Sequence, residues 1–312
     1  MRIAIIGGDI NGLYLSWKLS KKGHQVTLFE RKTEIGSDVV CSGLFSKRIL
    51  DFIPESEKLI LNRINSVNIH FPKKSIKVNF SKEFLVIDHG KLNKTVADLA
   101  LKSGAVINLN QNIIDLPEDY DKIIGCDGTN SIVRKNLNLK PLKSSLGILG
   151  FVSNEVRPRC DYVTAWACKT GGFLWEIPRG ENLEYGIMTK PEKANQILDK
   201  FLEENNISLN KKAKIIPCGI SIPKHKKITV CGDAGGITKP WSGGGVIWGL
   251  FAADILLETF PDFNTYRKKA NRFFIPKIYF SKLILKIIYF IGFNLPWLLP
   301  KKAGIESDFL IQ

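Results

Sequence analysis

The first residues of the chain place three glycines and an acid at spacings that suit phosphate and ribose binding. A short apolar run, Ile3–Ile6, is followed by Gly7, Gly8 and Gly12, and Glu30 lies 23 residues after Gly7. Glycines in this arrangement permit a tight turn and a close backbone approach to phosphates at a helix N-terminus. A carboxylate at this distance can accept a hydrogen bond from a ribose hydroxyl. The pattern indicates a dinucleotide-binding loop, and the acid disfavours a 2′-phosphate.

Asp9 departs from this pattern because it occupies the position of the second glycine. A carboxylate repels a nearby pyrophosphate, and a Cβ atom at this position crowds the approach of the phosphates. The sequence leaves three outcomes open. The side chain points away from the phosphates, Gly8 takes over part of the role in a shifted turn, or dinucleotide binding is weakened or lost.

Two later segments place further acids and glycines at predicted strand ends. Asp127 and Gly128 form a turn after one buried strand, and Asp233 follows another. An aspartate after a strand can hold a ribityl hydroxyl, and a helix N-terminus can stabilise an anionic reduced flavin. The second segment continues through a glycine-rich loop that contains Pro240, Gly243, Gly244 and Gly245, and a helix then begins at Val246.

The elements that must position these residues alternate between strand and helix patterns. Residues 2–6 predict a strand, 13–23 a helix that ends at Gly23, and 25–30 a second strand. Residues 146–188 predict sheet, with four segments of strand-like alternation. The whole chain has 312 residues, of which 44% are apolar, and this is enough for a full core.

Cysteine usage and the N-terminus indicate a reducing compartment. The six cysteines form no Cys-x-x-Cys pair, and no cysteine or histidine pair has zinc-ligand spacing. Residues 1–6 lead directly into glycines without a signal-peptide cleavage site. We therefore expect a cytoplasmic protein with free thiols and no metal.

Positive charge is concentrated near the C-terminus. The net charge is +15, and nine basic residues with no acid lie between Arg267 and Lys302. The apolar run between Lys286 and Lys301 is too short for the roughly 20 residues that span a bilayer. It predicts a helix that lies on the inner face of an anionic membrane or covers the substrate domain. Nucleic acid is not expected as a partner, because no nucleic-acid-binding pattern accompanies the basic residues.

The order of the three glycine-containing segments resembles that of flavoproteins with the aromatic-hydroxylase fold. Within that fold, three stretches resemble the geranylgeranyl reductase family. They are "GSDVVCSGL" (36–44), "GGFLWEIP" (171–178) and "KPWSGGGVIWGL" (239–250). His89 departs from the family pattern, since an arginine that contacts the cofactor is usual there. Asp38 likewise replaces a proline.

The resemblance implies FAD as the cofactor and Cys41 as the candidate catalytic residue beside it. A buried cysteine is also ordinary core filling, and core packing is likewise the alternative role for Trp175. The residues implied to bind FAD are Gly7, Gly8, Asn11, Gly12, Glu30, Arg31, Cys41, Ser42, Gly43, His89, Asp127, Gly128, Asp233, Pro240, Gly243, Gly244, Gly245 and Val246. Those implied to contact substrate are Phe173, Trp175, Pro178 and Trp241.

The fold implied is α/β, with a Rossmann-like FAD-binding domain interleaved with an antiparallel-sheet substrate domain. The first would comprise residues 1–45, 86–140 and 222–262, and the second residues 46–85 and 141–221. A basic and apolar helical segment, residues 263–312, would follow.

The function implied is reduction of carbon–carbon double bonds in a geranylgeranyl or other isoprenoid lipid by hydride from reduced flavin. Ferredoxin and NAD(P)H both remain candidate electron donors. One alternative is an FAD-dependent monooxygenase of a small hydrophobic substrate. Another is a flavin-depleted protein that binds prenyl groups or lipid, and Asp9 and His89 motivate it.

Overall fold

The computed structural model describes residues 1–153, 160–306 and 308–309. The strands are β1 (Arg2–Ile6), β2 (Gln25–Phe29), β3 (Leu44–Ser46), β4 (Ile60–Phe71), β5 (Lys74–Ile87), β6 (Val106–Asn108), β7 (Lys122–Gly125), β8 (Ser144–Ser153), β9 (Tyr162–Ala167), β10 (Phe173–Arg179), β11 (Asn182–Thr189), β12 (Lys212–Pro217), β13 (Ile228–Val230) and β14 (Lys302–Ile305). The helices are α1 (Ile10–Lys21), α2 (Ile49–Phe52), α3 (His89–Lys102), α4 (Ile132–Asn136), α5 (Pro191–Glu204), α6 (Val246–Thr259) and α7 (Phe263–Asn294).

The first sheet is parallel and has the strand order β13-β7-β1-β2-β6. Its central strand β1 is buried from Ile3 to Ile6, as expected for a strand covered on both faces. Because the strands are parallel, their carboxyl ends meet at one edge of the sheet. That edge receives the glycine loop after β1, Glu30 after β2, Asp127 after β7 and Asp233 after β13.

The second sheet is larger and mostly antiparallel, with the order β12-β8-β11-β10-β9-β4-β5-β14 and β3 paired to β5. Two of its pairings, β4 with β9 and β5 with β14, are parallel. One apolar cluster on this sheet contains Trp175 and Met188, and a second cluster packs Leu198 of α5 against Ile187. The mixed α/β class predicted from the sequence is confirmed.

Helices α6 and α7 complete the structure. Helix α6 is almost wholly apolar and packs on α1 in the main core. Helix α7 has 32 residues with Pro276 inside it, and its buried side chains Tyr266, Ala270 and Phe274 recur at helical spacing. No helix in the described ranges is both long enough and apolar enough to cross a membrane.

The structure differs from the predicted elements at two places. The sequence predicts two strands at residues 75–80 and 83–88, whereas β5 runs unbroken from Lys74 to Ile87 and its pairing with β4 shifts register near Ile64 and Ser66. The segment 263–312 is not helical throughout, because β14 adds to β5 and pairs parallel with it. Residues 307 and 310–312 of that segment lie outside the described residues.

Candidate functional site

The glycine loop between β1 and α1 has the geometry that the spacing predicts. Gly7 has a φ of 107°, and a Cβ atom on Gly12 would lie 2.0 Å from the Gly7 carbonyl oxygen. The pairing of β1 with β2 brings Glu30 against this loop, where its Oε2 accepts a hydrogen bond from Gly8 N at 2.5 Å. A Cβ atom on Gly8 would lie 3.0 Å from that carboxylate. The loop and the acid therefore fit only because these positions are glycine.

Asp9 caps helix α1 and is held against helix α3. Its Oδ1 accepts hydrogen bonds of 2.8 Å from Ile10 N and from Asn93 Nδ2. The same oxygen forms an ion pair with His89 Nε2 at 3.2 Å. Burial raises the pKa of Asp9, but the charge and hydrogen bonding of His89 together with Lys214 and Asn93 outweigh burial, so the pKa lies well below its usual range. Asp9 is therefore an anion at the start of α1, and 45% of its side chain is exposed.

His89 links Asp9 to Cys41. The imidazole is 3% exposed and lies edge-on to the Phe45 ring, with centroids 5.7 Å apart. Burial lowers the pKa of His89, yet Cys41 and Asp9 raise it to about 10. Burial raises the pKa of Cys41, whereas contact with His89 and the Gly43 N–H, 3.4 Å from Sγ, lowers it overall. The arrangement favours an imidazolium beside a thiolate.

Lys214 of β12 adds a second cation at this edge. Its Nζ forms a 3.0 Å ion pair with Asp233 Oδ2. Asp233 is the main cause that raises the pKa of Lys214 above its ordinary value, and Asp9 and Cys41 contribute. Lys214 therefore lies within electrostatic reach of both the glycine loop and the segment Asp233–Val246, the third motif. Sequence reasoning missed it, because a lysine in a strand of a different sheet carries no local motif.

The start of α6 presents free backbone donors beside Asp233. Gly245 is the N-cap and provides no side-chain cap, and the first turn contains no acid. A Cβ atom on Gly245 would lie 2.6 Å from Asp233 Oδ1, and Gly243 has a φ of 68°. Gly243 N donates to the Lys239 carbonyl across the loop that contains Pro240. The geometry suits an anion or an electron-rich ring near Gly244, Gly245 and Val246.

The turn at Asp127 and Gly128, the second motif, lies beside the glycine loop and also supports the fold. A Cβ atom on Gly7 would lie 2.7 Å from Asp127 N, and Gly128 has a φ of 78°. Asp127 Oδ2 accepts a 2.6 Å hydrogen bond from Ile132 N at the start of α4. Burial raises the pKa of Asp127. The turn thus lies at the predicted site, but one carboxylate oxygen of Asp127 is already bonded to the start of α4.

Three residues that were predicted to bind the cofactor make contacts within the protein or are exposed to solvent. Asn11 lies between two backbone segments, because Cβ atoms on Gly232 and Gly249 would lie 2.4 and 2.5 Å from its amide. Arg31 is exposed. The Ser42 carbonyl accepts a hydrogen bond from Arg179. Asn11 therefore packs α1 against the third motif.

The predicted substrate residues separate into two groups. Trp175 and Phe173 lie with ring centroids 5.7 Å apart, in an apolar cluster that includes Val40 and Leu44 on either side of Cys41. Trp241 packs instead in the main core, edge-on to Trp248. Pro178 is buried near the end of β10, and its carbonyl accepts a hydrogen bond from Asn62.

Trp175 has a polar partner that the sequence did not reveal. Its Nε1 donates to Glu184 Oε1 at 2.9 Å, and Glu184 is fully buried. Burial raises the pKa of Glu184 to about 7, although Arg179 opposes the shift. The pairing of β10 with β11 produces this contact, and cross-strand register is not encoded locally.

Comparisons with known proteins agree with this geometry. The NAD(P)-binding Rossmann-like domain family matches residues 5–42. A digeranylgeranylglycerophospholipid reductase of Methanocaldococcus jannaschii is 24% identical, over 81% of this chain and 76% of the relative. The protein of the same name from Methanococcus vannielii is 25% identical, over 84% of this chain and 78% of the relative.

Solved structures share the fold at lower identity. A geranylgeranyl bacteriochlorophyll reductase-like protein from Thermoplasma acidophilum has a TM-score of 0.79 and 20% identity, covering 92% of this chain and 87% of that one. The flavin-dependent halogenase CmlS has a TM-score of 0.76 and 15% identity, covering 98% of this chain and 68% of that one. The flavoprotein fold and the resemblance to geranylgeranyl reductases are confirmed, and FAD is the cofactor that these comparisons support.

Proposed function

We propose that the protein is an FAD-dependent oxidoreductase that reduces carbon–carbon double bonds in an isoprenoid lipid. The observation that carries the proposal is the meeting of the glycine loop, Glu30 and Asp233 at one edge of the parallel sheet. The names of the relatives, digeranylgeranylglycerophospholipid reductases, supply the substrate class.

The residues at this edge fit FAD in backbone geometry and in donor type. Glu30 would accept hydrogen bonds from the ribose, and the start of α1 would face the pyrophosphate. Asp233 would accept a hydrogen bond from the ribityl chain, while the first turn of α6 would lie near the ring. The tight packing at Gly7, Gly8 and Gly12 supports this assignment, because a side chain at any of these positions would collide with the neighbouring protein and distort the turn.

Cys41 and His89 would manage the proton that the reaction needs. Bound FAD in its reduced form supplies the hydride for such a reduction. An isolated alkene accepts hydride poorly, so a proton must reach its other carbon. Because the pKa of Cys41 is lowered and that of His89 is raised, the proton of this pair rests mainly on His89. Donation to substrate would then come from this pair.

The apolar cluster around Trp175 would hold the hydrocarbon chain. Phe173, Trp175, Val40 and Leu44 lie together, and the last two flank the Cys41 segment. A polyprenyl chain is recognised by apolar burial, with few polar contacts. A chain held by this cluster would have an alkene near the Cys41–His89 pair.

The second half of α7 would rest on an anionic membrane that carries the substrate. Its exposed apolar side chains Tyr279, Leu283 and Ile287 recur every four residues, and Tyr279 is 72% exposed. Lys282 and Lys286 interleave with this stripe, and Trp297 beyond the helix is 69% exposed. An amphipathic helix with aromatic residues and lysines is typical of binding at a membrane surface.

Vesicle sedimentation tests the membrane contact. We expect the protein to sediment with vesicles of phosphatidylglycerol and to remain largely in solution with phosphatidylcholine vesicles. Replacing Leu283→Gln and Trp297→Ser together should release most of the bound protein. The matched control is Leu101→Gln, which removes an exposed leucine from α3. Equal sedimentation of the double variant would contradict the proposal.

Flavin binding and anaerobic turnover test the reductase function. We expect added FAD to remain with the protein through desalting. With dithionite as reductant, so that the natural electron donor need not be known, a geranylgeranyl lipid should gain two mass units for each double bond reduced. Cys41→Ala should lower this rate by about a hundredfold or more, within the range for loss of general acid–base catalysis, because it removes one member of the proton-donating pair. Cys160→Ala is the control.

Other outcomes would favour other functions. A protein that takes up no FAD would support the flavin-depleted lipid-binding alternative. Oxygen consumption with a hydroxylated product, and no alkene reduction without oxygen, would support the monooxygenase.

A further inference from the structure

Two residues that depart from the expected cofactor-binding pattern lie in contact with each other. Asp9 occupies the second-glycine position, and His89 occupies a position where an arginine is usual. They are 80 residues apart in the chain, yet Asp9 Oδ1 and His89 Nε2 are 3.2 Å apart. Asn93, one helical turn after His89, donates to the same oxygen at 2.8 Å. Helix α3 thus presents a cation and an amide donor to one carboxylate oxygen.

We propose that His89 neutralises Asp9, and that His89 and Asn93 together hold it against α3, so that the glycine loop accepts the pyrophosphate of FAD despite the carboxylate. The inference rests on the proposed FAD-dependent function and assigns these residues a positioning role in it.

The electrostatics of the loop support this role. Two like charges separated by about 5 Å at a protein surface repel strongly enough to change affinity by about tenfold or more. His89 cancels the charge of Asp9, and Lys214 likewise pairs with Asp233. The phosphates would therefore meet a carboxylate with a cation beside it, together with the positive end of α1, instead of an isolated Asp9 anion.

The burial of His89 fixes the cation in place. The ring is 3% exposed and is packed edge-on against Phe45. Within the described ranges, neither ring nitrogen makes a hydrogen bond of good geometry, so its contact with Asp9 is an ion pair. Buried polar groups normally have hydrogen-bond partners. The buried cation is therefore held beside Asp9 and the N-terminus of α1.

A set of four proteins tests the inference by FAD affinity, measured by calorimetry on the full chain stripped of flavin. The set is the wild type, Asp9→Asn, His89→Gln and the double variant. His89→Gln should weaken FAD binding by about tenfold or more, because Asp9 becomes an uncompensated anion. Asp9→Asn should bind at least as tightly as the wild type. The double variant should return to within about threefold of the wild type.

Salt dependence separates charge repulsion from lost packing. Raising the salt concentration from about 0.05 to 0.5 M should tighten FAD binding by His89→Gln relative to the wild type, because screening weakens the repulsion. His89→Arg keeps the charge and should bind FAD more tightly than His89→Gln. Lys94→Gln is the matched control, since it removes a cation from the exposed face of the same helix.

Several results would overturn the inference. They are unchanged affinity in His89→Gln, a double variant as weak as His89→Gln, or weaker binding by Asp9→Asn. Should His89→Gln fail to fold, the affinity of Asp9→Asn still decides. A wild-type protein that binds no FAD would overturn the proposed function as well, whereas flavin binding without the predicted compensation would overturn only this inference.

Discussion

Two clusters of buried and half-buried charges in this protein differ in how completely they are bonded. At the glycine loop, Asp9 pairs with His89, and Lys214 pairs with Asp233. Near the C-terminus, Asp308 is fully buried and both carboxylate oxygens are bonded. Lys239 Nζ lies 2.6 Å from Oδ1, and Ser46 Oγ lies 2.6 Å from Oδ2.

The second cluster fastens the C-terminal tail to the third motif. The Asp308 carbonyl accepts a hydrogen bond from Trp248 Nε1 at 3.0 Å, and Phe309 stacks on the Trp248 ring. Arg48 adds ion pairs to Glu306 and Asp308. In the first cluster, by contrast, buried polar atoms of Asn11, His89 and Asn93 lack a hydrogen bond in the described part of the chain, whereas in the second cluster only Arg48 Nε does. The two clusters therefore differ in how much of their hydrogen-bonding capacity the protein itself uses.

The largest effect should come from breaking the C-terminal cluster. Lys239→Met leaves Asp308 buried without its main cation, and we expect a loss of about 3–5 kcal/mol in the free energy of unfolding. Urea denaturation measures the loss, with Lys301→Met as an exposed control. A loss below about 1 kcal/mol would show that the cluster does not hold the fold.

Glu184 extends the comparison to a third buried charge. It is bonded to Trp175 and Arg179, yet burial still determines the direction of its pKa shift. Its pKa is raised from 4.5 to about 7. Between these values the unfolded chain releases a proton that the folded protein keeps, so stability falls as pH rises through this window. We expect the wild type to lose about 2 kcal/mol between pH 4.5 and 7 from this group. In Glu184→Gln this part of the pH dependence should disappear, as urea denaturation at several pH values would reveal. An unchanged pH profile in the variant would contradict the assignment.

The smallest effect on stability should come from the glycine-loop cluster. Asp9 is 45% exposed in its side chain, and Asp9→Asn keeps an oxygen that can cap α1. Because His89 is buried but keeps Cys41 as a partner, we expect a loss of about 1–2 kcal/mol in the free energy of unfolding. The same urea experiment gives the value. A loss as large as that of Lys239→Met would place Asp9 among the residues that hold the fold.

Much of the cofactor edge could be predicted, because its parts are local in sequence. The turn at Gly7, the helix that ends at Gly23 and the acid after β2 form one strand–helix–strand unit, and such units fold with a fixed handedness. The parallel order then placed Asp127 and Asp233 at the same edge. The apolar alternation of residues 146–188 likewise predicted strands of the second sheet.

The roles of Asp9, Lys214 and Asp308 could not be predicted in this way. Whether the carboxylate of Asp9 opposes phosphate depends on His89, which approaches only when α3 packs on α1. Lys214 comes from the other sheet, and Asp308 reaches Lys239 only after β14 joins β5.

By itself, the sequence determined the turns, the helix termini and the periodic apolar faces, since these depend on neighbours within a few residues. Only the tertiary structure decided which charges meet, because contacts between residues distant in the chain depend on how sheets and helices pack. The free energy of a charge depends on those contacts and on its burial. From the sequence, the Asp9 carboxylate counts against phosphate binding, whereas in the structure it forms an ion pair with His89.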